Sequence, residues 1–65
     1  MKDADIMKLW REHGISAIKR ELHIDGLQRF LFLGAMREIS ITNYEAGIIE
    51  QEIRDRIAEE QRHGR

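Results

Sequence analysis

The residues able to do chemistry are few and scattered. The three histidines, His13, His23 and His63, are far apart in the chain, and there is no Cys. A metal site needs ligands brought together, such as two His at i and i+4 or clustered Cys and His. No spacing here does that. His13 and His23, near helix ends, are accounted for by the negative helix C-terminus, which favours a cation. Ser16 and Ser40 lack the elbow and neighbouring base that a nucleophile requires. No Gly-rich phosphate loop is present. Glu50, Glu52 and Glu59 could be drawn as acid–base pairs. However, Arg54 and Arg56 follow Glu50 and Glu52 at i+4, the spacing of solvated ion pairs along one helix face. The sequence therefore predicts a protein that is not an enzyme and that takes no cofactor and no metal.

Binding is better represented than catalysis. In "ISAIKRELHIDGLQRFLFL" the rhythm of helix, break at "HID" and helix is that of a helix-turn-helix. Lys19, Arg20 and Arg29 could then touch phosphates and Gln28 a base. Against this, the recognition helix would be mostly apolar. Lys19 also stands where a small residue is usual, and the net charge of -1 lacks the basic excess of such domains. The other candidates are contacts to protein. Trp10 and Tyr44 are of the types most often found as interface anchors. Phe32 and Met36 belong to an apolar run, "FLFLGAM", and Arg54 and Arg56 would form a charged rim.

These residues need elements to position them. A first helix is expected over about 3–13, started by Asp3 or Asp5 and ended by Gly14, since Gly enters the left-handed region cheaply. It places Ile6, Trp10 and His13 on one face. A second, about 16–23 and capped by Ser16, carries Ile15, Ile18 and Leu22. A third, about 26–38, would begin at a capping box of Asp25 and Gln28. Its apolar residues point almost all the way round, so it must be covered on more than one side. A fourth, about 43–61, starts at a capping box of Thr42 and Glu45 and buries a stripe of Ala46, Ile49, Ile53 and Ile57. The "RHGR" tail is expected to fray. The intervening "ISIT", residues 39–42, reads either as a turn or as a short strand pairing with its own copy.

The expected fold is thus all-α: one domain, residues 1–65, a small bundle of about four helices centred on an antiparallel helical hairpin of the third and fourth. A chain of this size buries only about 60% of the surface exposed by its unfolded form, and without Cys no disulfide can compensate. Phe32 and Met36 would be left in need of cover. This implies a homodimer first, because symmetric pairs are the commonest small oligomers, or else a partner protein. The N-terminal stretch has no continuous apolar region of the secretory kind, and no apolar run approaches the ~18 residues of a membrane span. The expectation is a cytoplasmic protein with no membrane contact.

Residues 14–31, "GISAIKRELHIDGLQRFL", resemble a pattern in small prokaryotic antitoxin-like proteins encoded beside toxin genes. Gly14, Ile18, Leu22, Gly26, Arg29, Phe30 and Leu31 carry the likeness. It spans about a quarter of the chain and ends at Leu31. It implies a small binding protein that neutralises a partner, and it implies no active site. The functional expectation is a protein-interaction module that binds and inhibits or regulates another protein. A small DNA-binding regulator using residues 16–33 and a phage or plasmid structural subunit are the alternatives.

Overall fold

The computed structural model describes residues 2–63, the side chain of His63 excepted. Among the described residues three helices form the fold: α1 (Asp3–Glu21), α2 (Ile24–Ala35) and α3 (Asn43–His63). No strand occurs among the described residues, and 39–42 belong to the connection before α3. The expected fraying of Gly64 and Arg65 concerns residues outside those described, whereas Arg62 is still helical.

The expected count of four helices becomes three because the first two join. Gly14 sits inside α1 with φ 79° and ψ -168°, a conformation open essentially to Gly alone, and the helix kinks there. The break falls where the sequence placed it, but the chain resumes helical geometry at once and no separate cap at Ser16 is needed. Neither Asp3 nor Asp5 caps α1. Its N-cap is Lys2, without a side-chain bond, and both aspartates lie in the first turn. His13 is exposed and does not share the inward face of Ile6 and Trp10.

Only Leu22 and His23 separate α1 from α2. This short junction starts α2 two residues earlier than a cap at Asp25 would allow. His23 is the N-cap, no side-chain cap bond forms, and the Asp25–Gln28 capping box is absent. The helix also ends early, at Ala35. Arg37 takes the left-handed conformation at φ 65°. Its N–H bonds the Gly34 carbonyl at 3.1 Å, and the Glu38 N–H bonds the Leu33 carbonyl at 3.0 Å. This is the Schellman arrangement, formed without its usual Gly. It turns the chain so that Ile39 is buried.

The start of α3 follows the sequence closely. The Glu45 N–H donates to Thr42 Oγ1 at 3.0 Å, and the Thr42 N–H donates to Glu45 Oε1 at 2.9 Å. This reciprocal capping box depends only on neighbouring residues, which is why it could be read locally. Ile49 and Ile53 are buried, while Ile57 emerges to 39% exposure, so the stripe serves the core only over its first turns.

The core consists of Ile6, Ile18, Leu22, Leu27, Phe30, Leu33, Ile39, Ile49 and Ile53. All three helices contribute, and α2 lies between the other two. Gly34 meets Ile41 at one end of the α2–α3 pair, and the Leu22 carbonyl meets Arg56 at the other. The two helices therefore run antiparallel, as the hairpin expectation required. At about 1.5 Å per residue, the 21-residue α3 outreaches the 12-residue α2 by roughly 13 Å, which leaves its C-terminal turns beyond the core.

Candidate functional site

The inner face of α2 is filled by Leu27, Phe30 and Leu33, all buried. Its outer face carries Asp25, Gln28, Arg29, Phe32, Ala35 and Met36, all exposed. At 100° per residue, Asp25, Arg29, Phe32 and Met36 fall within an arc of about 60°. The ridge is charged at its N-terminal half and apolar at its C-terminal half. Phe32 is 47% exposed and Met36 55%. Each is an apolar side chain left by its own chain with half its surface in water. Leu31 and Ala35 extend the apolar area into an open groove of about 410 Å³, floored by Gly34, Ile41 and Ala46.

Arg29 fixes one side of this ridge. Its Nε and Nη2 donate to the two carboxylate oxygens of Asp3 at 2.8 and 2.7 Å. The bidentate fork holds the guanidinium plane, and its Cζ lies 4.6 Å from the centre of the Phe32 ring. One face of Phe32 is thus covered by a cation, and about half of the residue remains exposed. The bond from Arg29 and its positive charge hold the Asp3 carboxyl below its ordinary value, against a smaller opposing effect of desolvation. Asp3 in turn raises Arg29.

The other residues singled out from the sequence lie elsewhere. Trp10 is half-buried and meets Phe30 edge to face, with centroids 5.3 Å apart, so most of its surface already serves the core. Tyr44 is 79% exposed in the first turn of α3. It lines a second open groove, of about 440 Å³, with Ile48, Lys19 and Glu52. Arg54 is exposed and, among the described residues, forms no ion pair with Glu50. Arg56 faces inward. It bonds Glu52 at 2.8 Å through Nε, and its two terminal nitrogens donate to the Leu22 and Lys19 carbonyls. These carbonyls end α1 and have no helical partner, so Arg56 closes α1 from across the bundle.

Of the residues considered for nucleic acid, each cation stands beside a carboxylate. Lys19 is 3.8 Å from Glu52, Arg20 is 3.4 Å from Glu21, and Arg29 is held by Asp3. Gln28 is exposed. Among the described residues no three His, Cys, Asp or Glu side chains converge as a metal would need. Glu59 bonds Arg62. Among the described residues, no helix is long and apolar enough to cross a membrane.

The pairing of Arg29 with Asp3, 26 residues away, and the inward turn of Arg56 were not visible in the sequence, where only local spacing can be read. Compared with known proteins, the chain matches no family model, no curated protein and no solved structure significantly.

Proposed function

We propose that the chain is a small non-enzymatic interaction module of the cytoplasm. It binds another protein through the outer face of α2 and inhibits or regulates it, in the manner of an antitoxin. The observation supporting this is the half-exposed pair Phe32 and Met36 on a helix whose opposite face is already committed to the core. Completing the burial of each contributes about 1–1.5 kcal/mol, half of the full value for such a side chain. Phe32 is the anchor, since Arg29 holds its ring orientation and ordering it on binding removes little freedom. Met36 adapts to the shape it meets. Tyr44 and Arg54 supply further contacts at the α3 side, and the effect on the partner is steric.

Nucleic acid is the weaker reading, because Lys19, Arg20 and Arg29 are already matched by carboxylates. The test compares capture from host extract by the native chain and by Phe32→Glu, with helicity checked by circular dichroism. The reading expects a discrete protein bound by the native chain and lost with Phe32→Glu. Equal capture by both, or duplex binding that falls steeply with salt, would count against it.

A further inference from the structure

We propose that the first half of α1, residues 3–13, is a strap that opens as one unit about Gly14 while the rest of the bundle stays folded.

Gly14 is the pivot. Its φ of 79° and ψ of -168° divide α1 into two helical stretches. A Cβ built there would meet nothing within 4 Å, so on that side no packed neighbour opposes a change in its torsions. Hinges are of this kind, a few residues that absorb a large change in φ and ψ.

The two halves of α1 are fastened unequally. The second half buries Ala17 and Ile18 and runs into buried Leu22. Arg56 grips the Lys19 and Leu22 carbonyls, and Lys19 stands 3.8 Å from Glu52, so this half is tied to α3. In the first half only Ile6 is buried, with Met7, Leu9 and Trp10 packed half-buried beside the core. Trp10 meets the Phe30 ring edge to face. Among the described residues, the side-chain bonds from this half to another helix are the two between Arg29 and Asp3. Both partners are close to half exposed, where water and salt weaken an ion pair. A segment with few buried contacts opens at lower free energy than the whole fold.

Opening reaches the outer face of α2. Asp3 holds the Arg29 fork, and Arg29 stands over Phe32, so departure of the strap removes both the fork and its hold on the cation above the ring. It also parts Trp10 from Phe30. Closure therefore governs how much apolar surface α2 offers and how firmly Phe32 is ordered. The link to docking rests on the reading of Phe32 as an anchor; the opening itself does not.

Native-state hydrogen exchange in urea, below the unfolding transition, tests this on the native chain and on Ile53→Val. The amides of residues 9–13 should be protected at least about tenfold less than those of residues 30–33 in α2. They should also share one urea dependence, shallower than that of the α2 amides. Ile53→Val trims the core on α3 and should speed the α2 amides about three- to tenfold, leaving residues 9–13 unchanged. Residues 9–13 exchanging at the level and slope of α2, or speeding equally with α2 in Ile53→Val, would overturn the strap. So would exchange of residues 9–13 that is independent of urea and differs residue by residue, which is fraying. The exchange reads opening alone, so it can fail while capture through Phe32 stands, and the reverse.

Discussion

Replacing Gly34 by Ala should destabilise the protein, although in an ordinary helix the same change stabilises. A Cβ at position 34 would lie 2.4 Å from Ile41 Cδ1 and 2.7 Å from Ile41 Cγ1. Carbon atoms in contact prefer about 3.5–4.0 Å. Rotation about χ2 could move Cδ1 aside, but Cγ1 moves only if χ1 or the backbone shifts, and Ile is stiff at χ1. Overpacking of this kind costs about 1–3 kcal/mol. The gain in helix propensity from Gly to Ala is about 1 kcal/mol. The balance is a loss of about 1 kcal/mol, which in a domain of this size lowers Tm by about 4–8 °C. The sign should reverse once Ile41 is shortened. In an Ile41→Ala background, Gly34→Ala should stabilise by about 1 kcal/mol, giving a coupling of about 2 kcal/mol, within the range for residues in contact. Urea unfolding followed by circular dichroism reads all four variants. If Gly34→Ala stabilises the otherwise native chain, Ile41 does not pack on Gly34, and the proposed closure of the α2–α3 hairpin is wrong.

Three further outcomes follow from the local geometry. Arg37→Gly should stabilise by about 0.5–1 kcal/mol, because an L residue in the left-handed region costs about 1–2 kcal/mol and the greater freedom of Gly in the unfolded chain offsets part of that; thermal unfolding decides it. Asp3→Asn should destabilise at neutral pH but not in strong acid. The folded Asp3 carboxyl titrates below its ordinary value of 3.8, so its contribution is complete above that value and disappears as pH falls through the depressed one; stability curves of the two proteins that fail to converge in acid would refute this. Arg56→Lys should cost about 1–2 kcal/mol in urea unfolding, since one ammonium cannot reproduce the fork that serves Glu52 and two carbonyls, and a Lys variant of native stability would show that the fork is dispensable.

The legible parts of the fold are those set by near neighbours. The Thr42–Glu45 box is complete within four residues. Gly14 announced a break, and the all-round apolar pattern of α2 announced a helix with two claims on its surface. Tertiary demands overrode local preference elsewhere. Met36, Arg37 and Glu38 have no Gly or Pro to stop a helix, yet the chain leaves it there so that Ile39 can enter the core. Asp25 and Gln28 have the spacing of a cap, but the two-residue junction after α1 starts α2 before them. Arg56 looked like a rim charge because its i+4 partner was visible and its backbone partners, more than thirty residues earlier, were not. For the candidate surface, the pattern marked Phe32 and Met36 as surplus to a small core. Arg29 comes to stand over the Phe32 ring only through the folded arrangement of α1 and α2, which the local pattern does not encode.

The central claim is that the outer turns of α2 are made to be covered by another polypeptide. Placing a photoactivatable phenylalanine analogue at position 32, and for comparison at the exposed position of Lys8 on α1, tests it inside the producing cell. The account predicts a discrete covalent adduct from position 32, suppressed by Met36→Glu, and none from position 8. No adduct from 32, or the same products from both, would mean that this ridge faces only water.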